Sequence, residues 1–116
     1  MENAPKLISA KTLNEWLNSD RDKPTIIDVR EKLELDIVRF PFTNIHIPIS
    51  QVSVTTVSEE LQNLINQEIV VLCHMGIRSY NFGQWLLDNQ FVNEVWNLEE
   101  GIDGWSRYID CNLTRY

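Results

Sequence analysis

Residues 70–80 read Val70-Val71-Leu72-Cys73-His74-Met75-Gly76-Ile77-Arg78-Ser79-Tyr80, so that an apolar run ends at a cysteine and a helical pattern follows. Continuous β-branched runs are typical of strands that are buried on both faces of a parallel sheet. The sequence therefore predicts a strand at Ile69–Leu72, a six-residue loop, and a helix from about Ser79 to Asn89. Cys73 then lies at the carboxyl end of a strand, where open α/β sheets bind their ligands.

Further strand patterns occur on both sides of this stretch. A buried strand is predicted at Thr25-Ile26-Ile27 and another at 93–98, with short strands at Leu7-Ile8 and at 45–47. Asp28 follows the first of these strands in the way that Cys73 follows residues 69–72. Several strands in one chain with helical patterns between them indicate βαβ units.

Helical patterns lie between the predicted strands. Thr12 with Glu15 and Thr56 with Glu59 are predicted to be capping boxes at two helix starts. The inward positions after these boxes and in the two later helices are Leu13, Trp16, Leu17, Leu61, Leu64, Ile65, Phe82, Trp85, Leu86, Ile102, Trp105 and Ile109. The alternation predicts an α/β fold with a mostly parallel central sheet and helices on both faces.

Length and composition limit the class of protein. The 116 residues, 43% of them hydrophobic, fit one compact domain spanning 1–116 that needs no disulfides. Seventeen acidic residues against ten basic ones give a net charge of -7. Because no Lys/Arg cluster is present, we expect no nucleic-acid partner. An acidic surface repels small anions at long range, so any anion site has to be formed locally.

Cysteine usage and the first residues predict the compartment. Cys73 and Cys111 lie far apart in sequence and form no C-x-x-C pair, so we expect a reducing environment. Met1–Lys6 lacks the basic region and apolar run of a signal peptide. No apolar run approaches the roughly 18 residues of a membrane span. The sequence predicts a cytoplasmic protein that does not bind a membrane.

The loop after Cys73 contains residue types that stabilise a thiolate. A cysteine before a helix lies near free backbone N–H groups and the positive end of the helix dipole. Arg78 adds a full positive charge, and both effects favour the nucleophilic form of the thiol. Gly76 is expected to adopt a backbone conformation that side chains disfavour, so that successive N–H groups form an anion nest. Ser79 is expected to cap the helix or to donate a hydroxyl hydrogen bond.

Three motifs resemble those of the rhodanese-like sulfurtransferases. The segment 73–79, Cys-His-Met-Gly-Ile-Arg-Ser, is similar to the C-x-x-G-x-R-S loop of that family, and 28–31, Asp-Val-Arg-Glu, to its D-V-R-E segment. Residues 101–105, Gly-Ile-Asp-Gly-Trp, resemble its closing glycine–tryptophan motif. The motifs span about 25–105 in the order of the family. The chain is most similar to small stand-alone rhodaneses and to rhodanese domains fused to sulfur-carrier activating enzymes.

The resemblance implies a sulfurtransferase without a metal or organic cofactor. Cys73 would carry sulfane sulfur as a persulfide, taken from thiosulfate or a persulfide and passed to a thiophilic acceptor. Arg78 would bind the anionic donor, and Asp28 and Arg30 would hold the framework around the loop. The loop that wraps the persulfide would comprise His74, Met75, Gly76, Ile77 and Ser79. Protein partners of the implied kind are a cysteine desulfurase, a thioredoxin-like reductant or a sulfur-carrier protein.

The sequence departs from the family pattern at two places near the expected rim of the site. Residues 44–49, Asn-Ile-His-Ile-Pro-Ile, keep the His, Ile and Pro of a G-H-I-P-G-A stretch but lack both glycines. The Gly-Gly of the closing motif is Glu100-Gly101 in this chain. Neither change touches Cys73, but the sequence leaves the preference for donor and acceptor open.

Other interpretations of the same residues stay open. A cysteine-dependent phosphatase or arsenate reductase has a longer loop than the four residues between Cys73 and Arg78, which suit sulfur better than a tetrahedral anion. His74 is a poor general base for Cys73, because adjacent side chains rarely face each other. A zinc site from Cys73, His74, Cys111 and His46 has no recognised ligand spacing. A non-catalytic docking or regulatory module is the main alternative, although silent members of the family typically lack the cysteine.

Overall fold

One parallel sheet organises the chain, seen in a computed structural model that describes residues 3–62, 64 and 67–116. Its strands are β1 (Lys6–Ile8), β2 (Thr25–Asp28), β3 (Ile45–His46), β4 (Ile69–Leu72) and β5 (Trp96–Leu98), in the order β1-β5-β4-β2-β3. The α-helices in the described ranges are α1 (Ala10–Leu17), α2 (Lys32–Ile37), α3 (Val54–Leu61), α4 (Ile77–Asp88) and α5 (Gly101–Tyr108). A 3₁₀ turn covers Ile49–Gln51. None of these helices is long and apolar enough to cross a membrane.

Helices cover both faces of the sheet, and the central strand β4 contributes to a core on each side. Its side chains alternate, so that Val70 and Leu72 pack in one core while Val71 and Cys73 pack in the other. The first core contains residues of α1 and α5 (Leu13, Trp16, Ile102, Trp105), and the second contains residues of α3 and α4 (Val57, Phe82, Leu86). The predicted α/β fold with a parallel sheet and helices on both faces is confirmed. Cys73 faces the side of the sheet that α4 covers.

The strands agree with the predicted ones except at their ends. β5 begins at Trp96 rather than at residue 93, and β3 ends at His46 rather than at residue 47. Val95 still accepts a backbone hydrogen bond from Lys6 at 2.9 Å, so contact with β1 extends one residue before β5. The 93–98 prediction was too long because Asn93 and Glu94 are exposed and only the later residues join the sheet.

Both helix N-caps lie three residues before the predicted ones. α1 is capped by Ser9, whose hydroxyl accepts a hydrogen bond from the Thr12 backbone N–H. α3 is capped by Ser53, and Thr56 is the third residue of that box. The threonines therefore lie inside the helices, because a serine three residues earlier satisfies their backbone N–H groups. The predicted inward position Ile65 lies outside the described residues.

Helix α4 begins two residues earlier than predicted, at Ile77. Gly76 precedes it as the N-cap with φ = 100°, a left-handed conformation that glycine adopts readily. The connection from β4 is therefore shorter than the predicted six residues. Arg78 and Ser79 lie in the first turn of α4, and Ser79 does not cap it, which corrects one of the two expected roles of this serine.

Candidate active site

Polar residues lie on three neighbouring strands near the carboxyl edge of the sheet. Cys73 follows β4 directly, Asp28 is the last residue of β2, and Asn97 lies in β5. The strand register pairs Asn97 with Val71 and Asp28 with Leu72, which places the three residues at successive positions approaching the same edge. This is the edge at which ligands bind in open α/β sheets.

The sulfur of Cys73 is surrounded by hydrogen-bond donors. The backbone N–H of Gly76 lies 3.1 Å from Sγ, the N–H of Ser79 lies 3.4 Å from it, and Oγ of Ser79 lies 3.3 Å from it. The residue is 1% exposed. Donors at the start of α4 point at one buried sulfur, which is the arrangement that suits a negatively charged atom. Gly76 has the left-handed conformation that was expected of it, and the N–H groups that face the sulfur are those of Gly76 and Ser79.

Asn97 was missed by the sequence analysis, although it connects both sides of this loop. Its Oδ1 accepts a hydrogen bond from Ser79 Oγ at 2.5 Å, and its Nδ2 donates to the Gly76 carbonyl at 3.0 Å. A serine hydroxyl has one proton, so Ser79 donates either to Asn97 or to Cys73 Sγ at a given moment. The two backbone N–H groups are therefore the permanent donors to the sulfur. The sequence signal that could have identified Asn97 was a single polar residue within the otherwise apolar strand β5.

The N-terminus of α5 holds the same loop from the other side. The N–H groups of Ile102 and Asp103 donate to the carbonyls of Cys73 at 2.9 Å and His74 at 3.0 Å. Gly101 has φ = 60°, and a Cβ there would lie 2.4 Å from the His74 carbonyl oxygen. Only glycine permits this close approach. The closing glycine–tryptophan motif thus fixes the backbone of residues 73 and 74.

Arg78 is engaged by a carboxylate that the sequence analysis did not single out. Its Nη1 and Nη2 lie 2.7 Å and 2.8 Å from Oε2 and Oε1 of Glu34. Glu34 also accepts hydrogen bonds from the Glu31 N–H and the Tyr116 hydroxyl, both at 2.8 Å. The hydrogen bonds from Arg78 lower the pKa of Glu34 to about 2. Conversely, the bond to Glu34 raises the pKa of Arg78, and the nearby Cys73 sulfur adds a smaller increase.

Asp28 and Arg30 form a second ion pair that is fully buried. Arg30 Nη2 lies 2.8 Å from Asp28 Oδ2, and Nε lies 3.1 Å from both carboxylate oxygens. Burial lowers the pKa of Arg30, but hydrogen bonds to Asp28 and Tyr116 outweigh that effect, so its pKa is raised. The Arg30 carbonyl is 2.6 Å from Nε2 of His46. Asp28 therefore has the ion-pair geometry expected of a supporting residue.

The remaining predicted loop residues take different positions. Met75 and Ile77 are 58% and 74% exposed, whereas the His74 ring stacks on Tyr116 with its centroid 3.9 Å away. The His74 ring thus packs on Tyr116, and Cys73 Sγ receives its hydrogen bonds from Gly76 and Ser79. Cys111 is exposed. No three His, Cys, Asp or Glu side chains of the described ranges are grouped to hold a metal ion, so the alternative zinc set is not assembled there.

Comparison with known proteins gives one family. The Rhodanese-like domain family matches residues 9–108. The "Adenylyltransferase and sulfurtransferase UBA4" of Debaryomyces hansenii is 30% identical over 118 residues, which cover 97% of this chain and 26% of that protein. The chain spans only about a quarter to a third of the length of the curated relatives it matches.

Solved structures show the same fold. The single-domain sulfurtransferase RDL2 of Saccharomyces cerevisiae superposes with a TM-score of 0.71, and the match has 20% sequence identity and covers 98% of both chains. At that identity the likeness concerns the fold alone. An NAD-dependent persulfide reductase from A. fulgidus is 27% identical with a TM-score of 0.58, and the match covers 87% of this chain and 16% of that one.

Proposed function

The chain belongs to the rhodanese-like domain family, and from that premise we propose that it is a sulfurtransferase that carries sulfane sulfur as a persulfide on Cys73. The observation that supports this proposal most strongly is the environment of the sulfur. Sγ lies at the end of β4 with the N–H groups of Gly76 and Ser79 directed at it. An inert buried cysteine has no need of such donors.

The proposed reaction has two displacement steps. In the first, the Cys73 thiolate attacks the outer sulfur of the donor, and a bond forms between Sγ and that sulfur. The bond between the outer sulfur and the rest of the donor breaks, and its electron pair leaves with sulfite or a thiolate. In the second step, a thiophilic acceptor attacks the outer sulfur of the persulfide. The Sγ–S bond then breaks, and Cys73 leaves as a thiolate.

The loop residues have distinct roles in this proposal. The backbone from His74 to Ser79 stabilises negative charge on the sulfur through its N–H groups, and Gly76 makes that conformation possible. Arg78 binds an anionic part of the donor when Glu34 releases it. Asp28 and Arg30 support the loop from beneath and do not contact the reacting atoms. Met75 and Ile77, which are exposed, lie where a donor or acceptor molecule arrives.

The donor and acceptor belong to sulfur-transfer chemistry. Thiosulfate and organic persulfides are the proposed donors, and thiols or cyanide are the proposed acceptors. The names of the related proteins from Debaryomyces hansenii and A. fulgidus, a sulfurtransferase and a persulfide reductase, support partners of this kind. Desulfurase, thioredoxin-like and sulfur-carrier proteins are candidate partners.

Thiocyanate formation from cyanide and a sulfur donor tests the proposal. We expect turnover with the wild-type chain and with Cys111→Ser, and a loss of more than about a thousandfold with Cys73→Ser, because the nucleophile is missing. Cys111 is the matched control since it is the other free cysteine and is exposed. Inactivity of the wild type with both thiosulfate and a persulfide would favour a non-catalytic docking module. Equal activity of Cys73→Ser would reject the proposed nucleophile.

A further inference from the structure

We propose that Glu34 makes the site select against anionic sulfur donors, so that its preferred donor is an organic persulfide whose thiol part carries no net negative charge. The proposal rests on the proposed function and adds a specificity-determining residue to it. Glu34 does not contact Cys73 in the structure, and its effect is exerted through Arg78.

The charge of Arg78 is already balanced by Glu34. Both terminal nitrogens of its guanidinium bind the two oxygens of Glu34 in a parallel, bidentate arrangement. Such charge-assisted pairs are short and strong. An arriving anion has to compete with a carboxylate that is held in place for the same two nitrogens.

Glu34 is in turn held firmly in its charged form. Besides Arg78, the Glu31 N–H and the Tyr116 hydroxyl donate to its oxygens. The Glu34 side chain is 17% exposed, so little water replaces these partners. The pKa of about 2 means that the carboxylate stays ionised at neutral pH. Protonation therefore does not release Arg78.

The net charge of the site determines which donors it attracts. With Cys73 as a thiolate, the charges of Cys73, Glu34 and Arg78 leave the site with a net negative charge. The other arginine beside them, Arg30, is neutralised by Asp28. Thiosulfate is a dianion and is repelled by this arrangement and by the acidic protein as a whole. A protonated organic persulfide, R–S–SH, adds no charge to the reacting centre.

The reaction with a persulfide is balanced without a further reagent. The Cys73 thiolate attacks the outer sulfur of R–S–SH, and the new Sγ–S bond replaces the S–S bond of the donor. The electron pair of the broken bond leaves with the thiolate R–S⁻, and the proton stays on the transferred sulfur. The product at Cys73 is a hydropersulfide.

A pair of persulfides that differ in charge tests the proposal. The probes are cysteamine persulfide, whose remainder is cationic, and 3-mercaptopropionate persulfide, whose remainder is anionic. The kcat/KM for loading of Cys73 is measured with each probe. Each value is divided by the rate constant for the reaction of the same probe with a simple thiol in solution, which removes differences in intrinsic reactivity. We expect the wild type to favour the cationic probe. Equal or greater use of the anionic probe by the wild type would overturn the proposal without any variant.

The variant Glu34→Gln keeps the size of the side chain and removes its charge. We expect the anionic-to-cationic ratio of kcat/KM to rise about tenfold, the size expected for one unit charge a few ångströms from the donor. Thiosulfate use should rise with it, and the rise should shrink at about 0.3 M salt. Glu94→Gln changes the net charge equally at the Lys6 pair and should leave the ratio unchanged.

The outcomes separate this proposal from the proposed function. If no donor loads Cys73 in either protein, the proposed function fails. If donors load Cys73 but Glu34→Gln leaves the ratio unchanged, or Glu94→Gln changes it equally, only the role of Glu34 is rejected. A neutral peptide with one persulfidated cysteine distinguishes whether the persulfide donor is a protein or a small thiol. Faster loading from the peptide than from cysteamine persulfide indicates a protein donor, and slower loading indicates a small thiol.

Discussion

Two arginine–carboxylate pairs lie next to each other at the carboxyl edge of the sheet, and they differ in their access to solvent. Arg30 and Asp28 are 0% and 1% exposed, whereas Arg78 and Glu34 are 35% and 17% exposed. Tyr116 contacts both pairs, since its hydroxyl donates to Glu34 at 2.8 Å and accepts from Arg30 at 3.3 Å. The chemistry of the two pairs is the same, so burial separates a structural pair from one that a ligand can reach.

The pairs also differ in what they connect. Asp28 and Arg30 are two residues apart, so their pair fixes the chain at the end of β2. Glu34 and Arg78 are 44 residues apart, and their pair joins α2 to α4. A fully buried pair has no access to other partners, whereas a half-buried pair can be reached by anions that compete with its carboxylate. The following changes test this difference.

The largest effect is expected for the buried pair. Asp28→Asn leaves the Arg30 charge without a counter-charge, and we expect the free energy of unfolding to fall by about 3 kcal/mol or more. Urea unfolding at pH 7 measures it. Replacing both residues, Asp28→Leu with Arg30→Met, should recover much of the loss because no unpaired charge remains. A loss below about 1 kcal/mol in Asp28→Asn would show that water reaches this pair.

A smaller and pH-dependent effect is expected for the half-buried pair of Arg78 and Glu34. The pKa of Glu34 is depressed to about 2, so its contribution is present above its ordinary pKa and is lost as the pH falls toward 2. The shift corresponds to about 3 kcal/mol, which screening at the partly exposed Arg78 reduces to about 2 kcal/mol.

Glu34→Gln should therefore destabilise the protein at pH 7 and approach the wild type between about pH 4.5 and pH 2. Urea unfolding of both proteins at several pH values measures the difference. Glu94→Gln, at an exposed pair with Lys6, is the control and should change stability by less than about 0.5 kcal/mol. A difference for Glu34→Gln that does not change with pH would contradict the assigned charge state.

The smallest effect is expected for the residue between the pairs. Tyr116→Phe removes the hydroxyl that contacts Glu34 and Arg30 but keeps the ring that stacks on His74. We expect a loss of about 0.5 to 1 kcal/mol in unfolding free energy, because one net hydrogen bond at a partly exposed site is removed. Combining it with Glu34→Gln should give a loss smaller than the sum, since Glu34→Gln already weakens the charge-assisted hydrogen bond that the Tyr116 hydroxyl donates. Additive losses would show that the hydroxyl does not couple to Glu34.

The sequence located the candidate cysteine and its loop because their signals are local. Cys73 directly follows an apolar run, and Gly76 and Ser79 follow within one turn, so the strand, the left-handed glycine and the hydrogen-bonded sulfur follow from neighbouring residues. Helix starts were less certain, because Thr12 and Thr56 are also good capping residues and the serines three positions earlier form the caps. The fold class depended on the alternation of strands and helices, which tolerates such errors.

The partners of the site that lie far away in sequence could not be predicted. Glu34 lies among several acidic residues of similar appearance, and only the packing of α2 against α4 identifies it as the partner of Arg78. Asn97 and the α5 N–H groups lie beside the loop because β5 is the neighbour of β4 in the sheet. The strand order β1-β5-β4-β2-β3 cannot be inferred from any single segment of the sequence. The charge balance of the site depends on these long-range contacts.

Intact-mass analysis after incubation with a persulfide or thiosulfate tests most directly whether Cys73 carries sulfur, as we propose. We predict a gain of one sulfur atom that a thiol or cyanide removes, that peptide mapping assigns to Cys73, and that Cys111→Ser retains. Absence of this gain from the wild type with both donors, or its presence in Cys73→Ser, would contradict the claim.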